Sequence, residues 1–384
     1  MEEIDIVIVG AGIIGLAIAK EIAVRELNLV VLERNSSFGQ ETSSRNSEVI
    51  HSGIYYPSGS LKANACVEGK NLMYETCRKN NIPFKKIGKL IVATDKDELS
   101  FLEGLLAQGR DNGVEDLSII DKNELGEVEP HVSALYGLYS SSTGIVDSHR
   151  LMQYLLGVAE ENGAVVAYNS EVVNIEKLHD GYKVSVKNNN DMLVLKTRVL
   201  INSAGIDADI IAAMAGIDVE NAGYRLHFCK GRYFRVNSAK SSLIHRLIYP
   251  VPKPKRGGLG IHATLDLGGA LRLGPDDEYL EKREKDYSID NSGRHIFYES
   301  VNKFLPFIEE NDLTADMAGI RPKLQGPRDD FRDFVIQEEA DKGFAGFINL
   351  IGIESPGLTA SLAIGRYVRG IIKRKDGLCV KYLL

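Results

Sequence analysis

The chain has 384 residues, with 46 basic and 53 acidic side chains and a formal charge of −7. At this length about three-quarters of the extended chain's surface can be buried, so a large core forms without metals or disulfides, and two or three domains are expected. A composition of 44% hydrophobic and 26% charged residues excludes a disordered or fibrous chain. The acidic balance, with no basic stripe to neutralise phosphates, argues against nucleic acid. The four cysteines, Cys66, Cys77, Cys229 and Cys379, form no CxxC pair and no metal spacing, which points to a reducing cytoplasm. No signal peptide is read before Ile4, and no apolar run reaches the ~18 residues of a membrane span. Contact with a membrane surface stays open.

The first element is the β-branched run 4–9, which suits a strand buried on both faces of a parallel sheet. Gly10, Gly12 and Gly15 follow in GxGxxG spacing, then a helix over 13–23 and a second strand over 29–32 that ends in Glu33. In this order each glycine has its own role. Gly10 permits the tight turn, Gly12 the close approach of a pyrophosphate, and Gly15 close helix–strand packing. The helix N-terminus offers N–H groups and a positive dipole end to the phosphates. Glu33 can hold both ribose hydroxyls and repels a 2′-phosphate, which disfavours NADP. The motif alone does not separate FAD from NAD.

From 165 the chain reads as strands over 165–168, 171–175, 182–186, 192–196 and 199–202, with the polar run 187–191 as a hairpin tip. Ser203-Ala204-Gly205 then leads to a helix at about Asp209, and the chain closes with a strand over 347–351, a loop over 352–357 and a helix over 358–373. Segments 88–94, 136–146, 230–236, 248–274 and 334–338 alternate like antiparallel strands, with turns expected at Gly257-Gly258 and Gly268-Gly269. The expected fold is α/β: a Rossmann-like nucleotide domain (1–80, 146–225 and 340–384) interleaved with a β-rich substrate domain (81–145 and 226–339).

Residues 41–56, Glu-Thr-Ser-Ser-Arg-Asn-Ser-Glu-Val-Ile-His-Ser-Gly-Ile-Tyr-Tyr, resemble the second flavin segment of the D-amino-acid-oxidase-like FAD oxidoreductases. Gly88-Lys89-Leu90-Ile91-Val92-Ala93, Thr143-Gly144-Ile145-Val146-Asp147, Ile248-Tyr249-Pro250-Val251-Pro252, Gly260-Ile261-His262, Leu273-Gly274-Pro275, Ala318-Gly319-Ile320-Arg321-Pro322 and Glu354-Ser355-Pro356-Gly357-Leu358-Thr359 extend the resemblance over nearly the whole chain. The combination is most similar to the branch of L-2-hydroxyglutarate dehydrogenases and oxidases. The resemblance implies the glutathione-reductase-type FAD fold and oxidation of a 2-hydroxy acid by hydride transfer to FAD. Glycerol-3-phosphate and amino-acid oxidases on the same scaffold are the enzymatic alternatives. A non-catalytic FAD-binding electron-relay subunit is the alternative of another class.

That chemistry needs a base for the hydroxyl proton and a cation for the carboxylate. Arg321, with its planar fork, is assigned the carboxylate, against the plain alternative of a surface ion pair. His262 is assigned the base, because imidazole titrates near neutrality, although a lone histidine is otherwise more often structural. His51 is expected to face the isoalloxazine. Related branches attach FAD covalently at a histidine there, and noncovalent binding is the expectation here. Tyr55, Tyr56 and Tyr249 are candidates for the pocket lining. A diacid calls for a second cation among Lys89, Lys230, Arg232 and Lys323, of which Lys323 is taken for the substrate site. The resemblance places the FAD contacts at Gly10, Gly12, Ile13, Ile14, Gly15, Glu33 and Arg34, and in the polar loop of Thr42, Ser43, Ser44, Arg45, Asn46 and Ser47. Val172 is placed at the adenine, with Ala204, Gly205 and Gly319 as further contacts. Pro356, Gly357, Leu358 and Thr359 open the last helix toward the N1–C2=O edge of the flavin. The partners expected are a small 2-hydroxy acid, an electron acceptor (oxygen, a quinone or an electron-transfer flavoprotein) and no metal. Contact with the inner membrane surface is a further expectation.

Overall fold

A computed structural model describes residues 2–252 and 260–374. The turn expected at Gly257-Gly258 and the last residues of the 340–384 segment lie outside the described residues. The chain divides into two compact units: Met1–Ser44, Ser148–His227 and Pro322–Leu384 form the first, and Arg45–Asp147 with Phe228–Arg321 the second. No described helix is long and apolar enough to cross a membrane.

The first unit is built on the strand Glu2–Val9, whose last four residues are fully or nearly fully buried. It pairs in parallel with Leu29–Leu32 on one side and with the C-terminal half of Asp191–Asn202 on the other. Val165–Ala167 and Phe344–Ile351 continue the parallel order outward. The inner strands Glu2–Val9 and Leu29–Leu32 are buried over most of their length, which explains their Val/Ile/Leu runs, whereas the edge strand Val165–Ala167 leaves Val165 exposed. The N-terminal half of Asp191–Asn202 also carries an antiparallel meander with Gly181–Asn188 and Ser170–Leu178. The helices Ile13–Ile22 and Gly357–Lys373 meet backbone to backbone: a Cβ on Gly365 would stand 2.7 Å from the Ala17 carbonyl oxygen.

Among the described residues the second unit holds a nine-stranded sheet. In its interior Lys89–Ala93 pairs in parallel with Leu247–Pro250 and antiparallel with Tyr136–Ser140. The pleat sends alternate residues to opposite faces. Leu90 and Val92 pack with Ile248, Ala263 and Phe234, whereas Ile91 and Ala93 pack with Leu247, Tyr249 and Leu138. Lys89, two residues before Ile91, shares the second of these faces. The turn expected at Gly268-Gly269 forms there, with the Gly269 amide donating to the Asp266 carbonyl at 2.9 Å.

Two boundaries differ from expectation. Residues 45–80 sit in the second unit, because Val49–Ile50 pairs with Gly144–Val146, which pairs in turn with Phe84–Lys85. Residues 322–339 sit in the first, because Val335–Glu339 lies antiparallel on Phe344–Ile351. Alternation at 334–338 marks an antiparallel strand correctly and says nothing about which sheet it joins.

Candidate active site and cofactor cradle

In the first unit the strand Glu2–Val9 ends at Gly10, whose φ of +98° lies in the region only glycine enters readily. A Cβ on Gly15 would stand 2.0 Å from the Gly10 carbonyl oxygen, so this glycine is what lets the helix start against the turn. A Cβ on Gly12 would meet only Ser43 Oγ, at 3.0 Å. The space in front of the helix N-terminus is therefore a cradle that a side chain would fill. Gly12 caps the helix without a side chain, and the Ile13 amide donates to Ser43 Oγ at 3.0 Å. Glu33 is buried at the end of the second strand, its carboxylate accepting from the Ala11 and Asn35 amides at 2.9 Å each. Arg34 pairs with Glu41 and with Asp207. Open glycine, helix N-terminus and buried carboxylate together fit a dinucleotide, whose pyrophosphate Gly12, Ile13 and Ile14 would hold and whose ribose Glu33 would hold.

Two substitutions separate the cofactor role of one glycine from the packing role of the other. Gly12→Val is expected to leave the fold intact and abolish flavin retention, giving a colourless, normally folded protein by absorbance and circular dichroism. Gly15→Ala forces its methyl into the Gly10 carbonyl and is expected to lower the melting temperature. A yellow Gly12→Val protein would remove the cradle.

The remaining predicted contacts of this unit are spread over it. Thr42, Ser43 and Ser44 form one 3₁₀ turn. Val172 is buried on the strand Ser170–Leu178, where the register slips between Val172 and Asn174. Ala204 and Gly205 follow the Asp191–Asn202 strand, and Gly205 takes φ +57° with no atom near its Cβ direction. Pro356 is the N-cap of the helix Gly357–Lys373, where Gly357 and Thr359 are buried and Leu358 is partly buried. Lys323, taken by sequence for the substrate site, is buried at the end of the strand Leu313–Lys323, two residues beyond Arg321.

A cluster in the second unit gathers around Lys89. The Lys89 side chain is 1% exposed, with its Nζ 4.6 Å from the Tyr55 ring centre and 4.8 Å from that of Tyr249. The His262 ring stacks on Tyr249 at 3.8 Å with 18° between planes. His262 Nδ1 lies 2.9 Å from the Gly260 carbonyl oxygen. A carbonyl only accepts, so Nδ1 carries the proton and Nε2 keeps its lone pair. Burial lowers the His262 pKa to about 4, against the Gly260 hydrogen bond that raises it. The charges of Lys89, Asp277 and Arg321 also reach this ring. His51 falls further, to about 3, through burial and then the positive charge of Lys89 and of His262. Both imidazoles are therefore neutral at pH 7.

Arg321 ends the second unit's share of the strand Leu313–Lys323. Its Nη2 lies 2.6 Å from Asp277 Oδ1, donates to the Asp276 carbonyl at 2.7 Å and lies 3.3 Å from Cys229 Sγ. The acidic pair Asp276-Asp277 is a partner that sequence reasoning missed; its signal is the two carboxylates directly after the matched Leu273-Gly274-Pro275. At Gly319 a Cβ would stand 2.2 Å from the Arg45 carbonyl oxygen, so the chain's own backbone already requires glycine there. Of the loop's second half, Arg45 covers the Tyr287 ring at 4.1 Å, Asn46 Oδ1 accepts from the Glu48 amide, and Ser47 shares a 2.9 Å hydrogen bond with the Tyr233 hydroxyl. Tyr56 is partly buried beside Tyr55.

Residues 5–370 match the family described as FAD dependent oxidoreductase. The mitochondrial L-2-hydroxyglutarate dehydrogenase of Arabidopsis thaliana is 38% identical over 96% of this chain and 83% of its own. A glycerol 3-phosphate dehydrogenase of Caloramator mitchellensis is 33% identical over 96% of this chain and 74% of its own. Among solved structures, the dithionite-reduced L-α-glycerophosphate oxidase of Mycoplasma pneumoniae with FAD bound superposes with a TM-score of 0.86, at 29% identity over 98% of this chain and 96% of that one. With a cradle of matching chemistry and a family match over most of its length, the chain belongs to the FAD-dependent oxidoreductases.

Proposed function

We propose that this enzyme oxidises L-2-hydroxyglutarate to 2-oxoglutarate. The observation that carries the reading is His262: a buried, neutral imidazole with its Nε2 lone pair unspent, fixed by Gly260 and Tyr249, within reach of the charges of Lys89 and Arg321. Bound FAD supplies the acceptor for the hydride that leaves C2. His262 Nε2 takes the hydroxyl proton, so the alcohol becomes a ketone with one hydride and one proton removed. Arg321 holds the carboxylate next to that carbon, and its guanidinium remains cationic at every working pH. Neutral His51 adds no charge to the site. The Arabidopsis relative supports the choice of acid, being named for it at 38% identity.

The test is anaerobic flavin bleaching with a panel of L-2-hydroxyglutarate, D-2-hydroxyglutarate, L-lactate, glycerol 3-phosphate and glycine. Rapid bleaching by the first alone is expected. The Mycoplasma structure's likeness favours glycerol 3-phosphate as the second reading, and bleaching by that ester alone would replace the first with it.

A further inference from the structure

Four basic side chains qualify by sequence as a second cation, and their partners separate them. Lys230 pairs with Asp286 at 2.8 Å. Arg232 donates twice to Asp276 Oδ2, at 2.8 and 2.6 Å. Lys323 is buried and also has a partner of its own. Lys89 has no hydrogen bond and no carboxylate partner among the described residues; it touches two tyrosine faces.

A buried ammonium without a counter-charge is costly, and proteins ordinarily pair it. The groups facing Lys89 do not supply that charge. From the segment after Val49–Ile50 come His51 and Tyr55, from the helix Leu61–Lys79 comes Cys66, and from Leu247–Pro250 and the segment beyond it come Tyr249 and His262. Burial raises both tyrosines, pushes Cys66 to about 12 and lowers the histidines, so all five are uncharged at pH 7. The Tyr55 hydroxyl is also buried without a hydrogen-bond partner among the described residues, a donor on the ring that Lys89 covers.

We infer that Lys89 is the specificity residue of the site: its ammonium, between Tyr55 and Tyr249, binds the substrate carboxylate remote from the oxidised carbon. This rests on the diacid reading above. Lysine serves better than arginine here, because burial brings its pKa to about 7. The enzyme without substrate then holds a partly neutral amine, and the arriving carboxylate draws a proton onto it.

The experiment compares wild type, Lys89→Met and Lys89→Arg holoenzymes in anaerobic flavin titrations with L-2-hydroxyglutarate and with L-2-hydroxyvalerate, which has a methyl in place of the remote carboxylate. Lys89→Met should raise half-saturation by the diacid about 30-fold or more, the loss expected for one member of a buried charge pair, and change that of the monoacid less than about threefold. Calorimetry with glutarate in buffers of different ionisation enthalpy adds a second readout. Wild type should take up protons on binding glutarate at pH 8, and Lys89→Arg should bind glutarate with no uptake. Lys89→Met should also melt higher than wild type near pH 7. A lysine with a depressed folded-state pKa is destabilising below that pKa, and the penalty fades as pH rises toward its unfolded value.

Equal losses for diacid and monoacid, or no loss for either, would overturn the assignment. So would wild-type binding of glutarate without proton uptake, a result that needs no variant to fold. If L-2-hydroxyglutarate does not bleach wild type at all, the proposed function fails and this inference fails with it. If it bleaches Lys89→Met as readily as wild type, only Lys89 is wrong.

Discussion

Replacing Arg321 by methionine is expected to raise the L-2-hydroxyglutarate concentration that half-reduces the flavin by about 30- to 4,000-fold, while FAD absorbance stays near wild type. The range corresponds to about 2–5 kcal/mol, the loss on truncating one partner of a desolvated charge pair. Methionine keeps much of the stem's volume and removes the fork. The expected figure lies toward the lower end, because Nη2 already serves Asp277 and the Asp276 carbonyl. A substrate carboxylate shares the guanidinium with Asp277 and gains only part of its charge. Arg321→Lys should recover little: a single ammonium is held by Asp277 and has no second nitrogen to offer. Anaerobic titration of both variants measures this. Unchanged half-saturation in Arg321→Met would remove the clamp, and loss of bound FAD would make the arginine structural.

The cofactor half of the molecule is legible in the sequence because its signals are local. A strand, three glycines and a terminal acid lie within the first 33 residues, and each glycine's role depends on atoms a few residues away: the built Cβ of Gly15 meets the carbonyl of Gly10. The substrate half is legible only as a set of motifs. The ranking of Lys89 over Lys230 depends on an aspartate 56 residues from Lys230 in sequence, and no periodicity reports such a pairing. Gly319 reads in sequence as a flavin contact, and the structure adds a second demand for glycine, since a Cβ there would stand 2.2 Å from the Arg45 carbonyl oxygen. A glycine needed for close approach looks the same in sequence whether the neighbour is a cofactor or the chain's own backbone. Segment 45–80 reads as part of the wrong domain for a related reason: a two-residue strand, Val49–Ile50, carries too little pattern to announce its partner.

His262→Ala is expected to slow flavin reduction by about 10²- to 10⁴-fold, the range for a positioned general base, with FAD still bound. The geometry makes the expectation specific to one atom. Nδ1 is committed to the Gly260 carbonyl, so the proton must go to Nε2, and the stack on Tyr249 holds the ring in place. His262→Gln retains a side chain of similar reach, with an amide that can donate to Gly260 and no basic nitrogen. It should therefore be nearly as slow as the alanine variant if Nε2 is the base. If glutamine restores most of the rate, the histidine only fills space. The pH profile supplies an independent readout. The base must be neutral, and a pKa lowered to about 4 keeps it so across the physiological range. The second-order rate of reduction at low substrate, which reports the free enzyme, should show no acid limb down to about pH 5 and fall only as pH drops through about 4. Stopped-flow reduction over that range checks it. An acid limb near 6.5 would mean that an exposed, ordinary imidazole does the work, and that the buried His262 is not the base.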